Sequence, residues 1–140
     1  FHPKECTELK DWGTFEDWIN YKKSRSCYFF DIDGVIYENG SEFWEPKWGK
    51  NKIYKAAKEK INNLYNSGNQ IILITSRPEK FRDITVKQLK QDDLQYHKLI
   101  MNIFHGTRYL INDYSNTNPF PAAKAINTKR NSCDFVEQIE

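Results

Sequence analysis

The stretch "FFDIDGVIYENG", residues 29–40, decides the fold and locates the candidate site. Two carboxylates, Asp31 and Asp33, stand one residue apart at the end of an apolar run, and Gly34 follows them directly. Two carboxylates that share a dry site repel each other unless a cation compensates their charge. The stretch therefore indicates either a solvated turn or a site that binds a metal ion and a phosphate.

Length and composition indicate one globular domain. A chain of 140 residues has about the usual size of a single domain and can bury its own core. Hydrophobic residues make up 39% of the chain and charged residues 29%, which is too apolar for a disordered chain and too polar for a membrane protein. We expect a soluble domain in which any cover over a substrate is limited to a loop.

Charge, hydropathy and cysteine usage exclude several classes of protein. The formal net charge is +2 and the basic residues are dispersed, so nucleic-acid binding is not predicted. No apolar stretch approaches the roughly 20 residues of a membrane span, and the N-terminus lacks a signal-peptide pattern, so we expect no membrane partner and a cytoplasmic location. Cys6, Cys27 and Cys133 form no C-x-x-C pair, which favours reduced thiols.

The apolar pattern predicts alternating strands and helices. The strand segments are continuously apolar, which is typical of strands covered on both faces of a parallel sheet. We predict an α/β fold, a Rossmann-like three-layer sandwich with a mostly parallel central sheet and no large cap domain. The single domain comprises an N-terminal helical segment (1–26), a core (27–113) and a C-terminal wrap (114–140). The predicted strands are 27–32, 70–75, 98–103 and 108–113, and the predicted helices are 14–22, capped by Thr14 and packed across the core, 51–67 and 77–91.

Polar side chains follow three of the predicted strands. Ligands of open parallel sheets bind beyond the carboxyl ends of the strands, near the point where the strand order reverses. We therefore expect the polar groups at these ends to meet in one site. They are Asp31 and Asp33 after the first strand, Thr75 and Ser76 after the second, and Asn112 and Asp113 after the last.

These segments resemble the haloacid dehalogenase (HAD) superfamily of aspartate-nucleophile phosphatases. "FFDIDGVI" resembles its first motif, "IILITSRP" its second and "YLIND" its fourth, in the same order across residues 27–113. Only about thirty-five residues separate Gly34 from the second strand, so the chain is similar to the capless members.

The resemblance implies a role for each motif residue. Asp31 would be the nucleophile that forms an aspartyl-phosphate, and Asp33 the general acid and base. A Mg²⁺ ion would be held by Asp31, the main-chain carbonyl of Asp33, and Asp113. Thr75 would bind the phosphoryl group through its hydroxyl and backbone N–H, with Ser76 beside it, and Gly34 would allow the turn beneath.

This chain differs from the superfamily at the third motif, which is a lysine or arginine beside the nucleophile. The corresponding turn here reads "MNIFHGTR" and contains no lysine. Arg108 and His105 are the candidate substitutes, and both could instead be ordinary residues at a strand edge. The loss of this cation would remove charge stabilisation from a transferring phosphoryl group.

Residues 37–49, "YENGSEFWEPKWG", fall where the superfamily inserts its flap. Trp44 and Trp48 could line a substrate pocket, or they could cover the end of the core or a dimer surface. Arg77, beside the second motif, could contact substrate or be a solvated residue at a helix start.

We therefore predict a magnesium-dependent phosphomonoester hydrolase acting on a small phosphorylated metabolite such as a sugar phosphate. The run from "LIND" to "NPFPAAKAIN" is also similar to small HAD-like proteins associated with surface-sugar biosynthesis. Two alternatives remain: an inactive HAD-fold binding module, which the missing lysine would explain, and a phosphotransferase to an acceptor other than water. The sequence does not indicate the oligomeric state.

Overall fold

The computed structural model describes residues 13–42, 45–117 and 123–139 and shows an α/β fold. Three parallel strands form one sheet in the order β1-β2-β3. Helices flank this sheet, an arrangement compatible with the predicted three-layer sandwich, and the described residues between β1 and β2 form a loop and one helix rather than a cap domain. In chain order the elements are α1 (Phe15–Lys23), β1 (Cys27–Asp31), α2 (Lys55–Asn66), β2 (Gln70–Ile74), a 3₁₀ turn (Glu79–Phe81), α3 (Arg82–Gln91), β3 (Lys98–Ile100) and α4 (Phe135–Gln138).

The strand register places the carboxyl ends of β1 and β2 side by side. Asp31 pairs with Ile74, and Ile74 pairs with Ile100 on the far strand. The ladder continues one residue past β2, because the backbone N–H of Thr75 donates to the carbonyl of Ile100 at 2.9 Å. The segments that follow β1 and β2 therefore leave the sheet at the same edge.

One face of the sheet carries the hydrophobic core. Side chains alternate along a strand, so Ile71 and Leu73 of β2 point to the same face. They are buried there with side chains from α2 and α3 and from the C-terminal segment. On the opposite face the side chain of Phe29 is about half exposed, so the prediction that this strand is covered on both faces is wrong for β1. The core members are Phe30, Ile32, Ile36, Tyr37, Ala57, Ile61, Ile71, Leu73, Leu89, Leu94, Phe135 and Ile139.

Helix α2 starts later than the sequence predicts. Residues 51–54 lie outside the helix because they pair with the loop after β1: Ile53 forms a bridge with Tyr37, and the N–H of Tyr54 donates to the carbonyl of Ile36 at 2.9 Å. The predicted stop is confirmed. Gly68 has φ +88°, and its N–H donates to the carbonyl of Tyr65, which is how many helices end.

The N-terminal helix is confirmed, but its predicted packing is wrong. Thr14 caps α1 reciprocally with Asp17, as the capping-box pattern requires. However, Phe15 and Trp18 stack on each other at 6.2 Å between ring centroids, and both remain exposed. The apolar face of α1 is thus not buried in the core.

The predicted fourth strand is absent from the described part of the chain. Residues 107–115 form no regular secondary structure, and the side chain of Ile111 is 90% exposed. An apolar run becomes a strand only where it pairs with a sheet edge and buries one face, and this segment does neither. The strand prediction at 108–113 is therefore wrong. The third strand is also shorter than predicted, ending at Ile100 instead of residue 103.

The C-terminal segment contributes to the core. Phe135 and Ile139 of this segment are buried, and the ring of Phe135 lies 5.6 Å from that of Phe30. The ammonium group of Lys60 on α2 donates to the carbonyl of Ile139 at 2.5 Å. Among the described residues, no helix has the length and apolar character needed to cross a bilayer.

We expect Phe135→Ala to lower the free energy of unfolding by about 3 kcal/mol, because it removes a buried aromatic side chain and leaves a cavity. The matched control is Phe104→Ala, since Phe104 is 92% exposed, and it should change the stability by no more than about 0.5 kcal/mol. Urea unfolding followed by circular dichroism measures both values. Equal effects of the two substitutions would contradict the packing of the C-terminal segment.

Candidate functional site

Asp31 ends β1 with its carboxylate partly open to solvent. Its side chain is 33% exposed, and its Oδ1 accepts a hydrogen bond from the N–H of Ile32 at 2.9 Å. The Nη1 atom of Arg108 lies 3.3 Å from Asp31 Oδ2. Arg108 is itself 39% exposed, so this ion pair is solvated and holds the carboxylate weakly.

A tight turn connects Asp31 to the loop that follows. Gly34 has φ +84°, a conformation that other residues adopt only with strain, and its N–H donates to the carbonyl of Tyr37 at 2.7 Å. Tyr37 is fully buried and donates its hydroxyl to Asp92 at 2.8 Å. Burial, followed by this hydrogen bond, raises the pKa of Tyr37 far above its ordinary value. The turn is therefore held in place by Tyr37, whose buried side chain is neutral.

Asp33 forms a buried ion pair with Arg77. The Nε of Arg77 donates to Asp33 Oδ2 and its Nη2 donates to Oδ1, both at 2.8 Å. The arginine is 1% exposed and is the largest fully buried side chain described. Two parallel N–H···O bonds fix both the position and the orientation of a carboxylate. Arg77 is therefore a partner of Asp33 and not the solvated residue at a helix start that the sequence left open.

The remaining donors of Arg77 contact one face of α3. Its Nη1 donates to Thr85 Oγ1 at 3.1 Å and to Gln88 Oε1 at 3.2 Å. Gln88 in turn donates to the carbonyl and side chain of Asn51, and Asn51 Nδ2 lies 3.3 Å from Asp33 Oδ1. A closed network of hydrogen bonds thus joins the turn after β1, the loop before α2 and helix α3.

Trp48 covers this network from the flap segment. Its ring meets Phe81 edge-on at 4.7 Å between centroids, and the guanidinium carbon of Arg77 lies 5.8 Å from the ring centre. Gly49 beside it donates its N–H to Gln88 Oε1 at 3.1 Å. Trp48 therefore helps to exclude water from the Arg77 pair. Trp44, the other predicted flap residue, lies outside the described residues.

The second motif is used mainly for structure in the described arrangement. Thr75 is buried, its N–H belongs to the ladder with Ile100, and its hydroxyl accepts from the N–H of Arg77 at 3.1 Å. The backbone donor that the resemblance assigns to a phosphoryl group is therefore already engaged. Ser76, the next residue, is half-buried.

The two predicted substitutes for the missing lysine are placed differently. Arg108 reaches Asp31, whereas His105 is exposed. The exposed Asp113 follows Arg108 in the irregular segment. Of the two candidate substitutes, Arg108 lies within ion-pair distance of Asp31.

The described residues do not fit the magnesium ion that the resemblance implies. Within residues 13–42, 45–117 and 123–139, no group of three or more His, Cys, Asp or Glu side chains could hold a metal ion. Asp31 offers one open carboxylate, and a guanidinium stands beside it, while the carboxylate of Asp33 is engaged by Arg77. The negative charge of the two acids is compensated by two arginines instead.

Sequence reasoning did not identify the network that supports Asp33. Thr85 and Gln88 are three residues apart, which places them on one face of a helix, and they are polar residues on the buried side of α3. This spacing, together with the arginine directly after "TS" in the second motif, is the sequence feature that could have indicated the network. Asn51 had no such feature, because the sequence predicted it to lie within a helix.

Comparison with known proteins identifies a shared fold and no family. No protein-family model matches the chain, and neither does any curated protein. Among solved structures, it is similar to a chain of the Pnkp1/Rnl/Hen1 complex, with 19% identity and a TM-score of 0.50 over 60% of this chain and 30% of that one. It is also similar to a crystallised target protein from Vibrio cholerae, with 13% identity and a TM-score of 0.48 over 62% of this chain and 79% of the other.

The first of these likenesses is consistent with the α/β class that the strand order defines. The chain spans 30% of the chain that it matches in the Pnkp1/Rnl/Hen1 complex, so the likeness concerns one part of a larger protein. At 19% identity it shows the fold alone.

The two aspartates should differ strongly in their effect on stability. Asp33→Asn leaves the buried charge of Arg77 without its counter-ion, and we expect it to lower the free energy of unfolding by about 3 kcal/mol. Asp31→Asn removes a solvated ion pair and should cost no more than about 1 kcal/mol. Urea denaturation of both variants measures the difference, and equal values would contradict the burial of the Arg77 pair.

Proposed function

We propose that the chain is a phosphomonoester hydrolase of the HAD type, in which the carboxylate of Asp31 attacks phosphorus. One observation carries the proposal. Of the two acids at the end of β1, Asp31 is open to solvent beside the guanidinium of Arg108, whereas Asp33 is held in place by the guanidinium of Arg77. A nucleophile must be accessible, and a positively charged group beside it stabilises the charge of the transferring phosphoryl group. The proposed substrate is a small phosphorylated metabolite such as a sugar phosphate.

The reaction has two steps that both use Asp31. In the first, an oxygen of Asp31 forms a bond to phosphorus while the bond from phosphorus to the leaving oxygen breaks, which gives an aspartyl-phosphate. In the second, an oxygen of water forms a bond to this phosphorus while the bond from phosphorus to the Asp31 oxygen breaks, which releases inorganic phosphate and restores the carboxylate. Arg108, which lies 3.3 Å from Asp31 Oδ2, is the group proposed to stabilise the phosphoryl oxygens.

Asp33 is proposed to carry the proton. The hydrogen bonds that its carboxylate accepts indicate which of the two oxygens does so. Each carboxylate oxygen has two lone pairs. Oδ1 accepts from Arg77 Nη2 and from Asn51 Nδ2, whereas Oδ2 accepts only from Arg77 Nε among the described residues. The free lone pair of Oδ2 is therefore where a proton would sit before it passes to the leaving oxygen. The same oxygen would then accept a proton from the attacking water.

No step of this proposal passes through a metal ion. The resemblance implies Mg²⁺, but one open carboxylate beside an arginine falls short of a donor set for it, so the metal requirement is a separate arm of the test. A binding module without turnover is the second candidate. The contact between Arg108 and Asp31 favours this second candidate, because Arg108 partly occupies the approach to Asp31.

We expect magnesium-supplemented protein to release phosphate from p-nitrophenyl phosphate or a sugar phosphate, and Asp31→Asn to reduce this release by about 10³-fold or more. Asp83→Asn, at an exposed position of α3, is the matched control and should retain the activity. Acid-quenched wild-type protein should carry a covalent phosphate label that Asp31→Asn lacks. Parallel assays with EDTA measure the metal requirement. Unchanged release by Asp31→Asn would refute the nucleophile, and no release from any substrate would favour the binding module.

The substitute for the missing lysine is tested separately. We expect Arg108→Gln to lower kcat by about 10²-fold, because it removes a cation beside the transferring group, and Arg108→Lys to retain part of the activity. His105→Gln, three positions earlier in the same segment, should be neutral. A loss of activity in His105→Gln but not in Arg108→Gln would assign the role to the histidine instead.

A further inference from the structure

The C-terminal segment places a third arginine, Arg130, against the loop that follows Asp33. A Cβ built on Gly34 would lie 2.9 Å from Cγ of Arg130 and 3.7 Å from its Cδ. The aliphatic part of Arg130 therefore lies directly on Gly34, the residue after Asp33. Arg108 and Arg77 each face one of the two aspartates. Arg130 is exposed and forms no ion pair with any acid among the described residues.

Hydrogen bonds fix the turn that carries Arg130. The N–H of Asn131 donates to the carbonyl of Gly34 at 2.8 Å, and Asn131 Oδ1 accepts from the N–H of Asn39 at 2.9 Å. One residue, Asn131, thus ties the turn to both ends of the loop after Asp33, through its backbone N–H and its side-chain oxygen. Phe135, four residues further on, is buried in the core. The backbone of Arg130 is held in place, while its guanidinium remains free to bind a ligand.

The turn also adopts a strained backbone. Asn131 has φ +63° and Cys133 has φ +60°. Asparagine tolerates this left-handed region, but a cysteine adopts it only with strain. Such conformations persist where the surrounding structure enforces them, and they cluster at binding sites. Here the strain accompanies a turn that holds an uncompensated arginine against the candidate site.

We propose that Arg130 binds a second anionic group of the substrate, so that the preferred ligand carries a phosphoryl group at Asp31 and another phosphoryl or carboxylate group at the C-terminal turn. This inference rests on the proposed function for the phosphoryl end of the ligand. A guanidinium binds phosphate and carboxylate through paired hydrogen bonds. Both aspartates already face arginines, and Arg130 pairs with no acid among the described residues, so its charge is available to attract an anion.

Binding measurements on the Asp31→Asn background test the proposal without turnover. The probes are two matched pairs: fructose 6-phosphate with fructose 1,6-bisphosphate, and glucose 6-phosphate with 6-phosphogluconate. Titration calorimetry at 0.15 M salt should show tighter binding of the second member of at least one pair. The pair that shows it tells whether the second group is a phosphate or a carboxylate.

Arg130→Met is the informative variant, because it keeps an aliphatic chain over Gly34 and removes only the guanidinium. It should weaken binding of the doubly anionic ligand by about tenfold or more and change binding of its partner less than twofold. Lys129→Met, at the adjacent exposed position, is the matched control and should weaken the two members equally. Equal weakening of both members by Arg130→Met, or no preference for a second anionic group in the Asp31→Asn parent, would overturn the proposal.

Failure of this inference differs from failure of the proposed function. If wild-type protein releases phosphate through Asp31 and Arg130→Met leaves the preference unchanged, the hydrolase stands and the second anion site does not. If the doubly anionic ligand binds through Arg130 and no phosphate is released, the anion site stands and the hydrolase does not.

Discussion

The buried ion pair between Arg77 and Asp33 is the interaction on which the site depends. A guanidinium has five N–H donors and is strongly unfavourable in a core unless they find acceptors. Arg77 makes two hydrogen bonds to Asp33, one to Thr85 and one to Gln88. These bonds join the turn after β1 to helix α3, and Gln88 extends them to the loop before α2. The relative positions of three segments are thus set by the requirements of one side chain.

This pair also explains how two carboxylates can stand one residue apart. Their repulsion is relieved by two separate guanidinium groups that differ in environment. Arg77 is buried and holds Asp33 through paired bonds, whereas Arg108 is solvated and makes one contact with Asp31. A buried partner fixes an orientation, and an exposed partner can be displaced by a ligand. The structure therefore gives neighbouring residues of the same type different freedom to react.

The features that depend on local pattern were predictable from the sequence. The apolar runs predicted β1 and β2, the apolar periodicity predicted α2, and the resemblance implied a turn at the glycine after the second aspartate. Features that depend on tertiary contacts were not. The exposed position of α1 and the irregular form of residues 108–113 arise because, within the described part of the chain, neither segment packs on the core or joins the sheet. An apolar run shows that burial would be favourable and not that a surface is available. The direction of the Arg77 side chain depends on acceptors far away in the chain.

The contact between Arg108 and Asp31 limits what the segment after β3 can present at one time. Arg108 and Asp113 are five positions apart along the chain, and an extended backbone rises about 3.3 Å per residue, so their Cα atoms would be roughly 16 Å apart in a strand. In its described position the segment places the guanidinium of Arg108 beside Asp31. The charge that this segment contributes beside Asp31 therefore depends on the position of the segment: it is positive where Arg108 approaches and would be negative if Asp113 took its place.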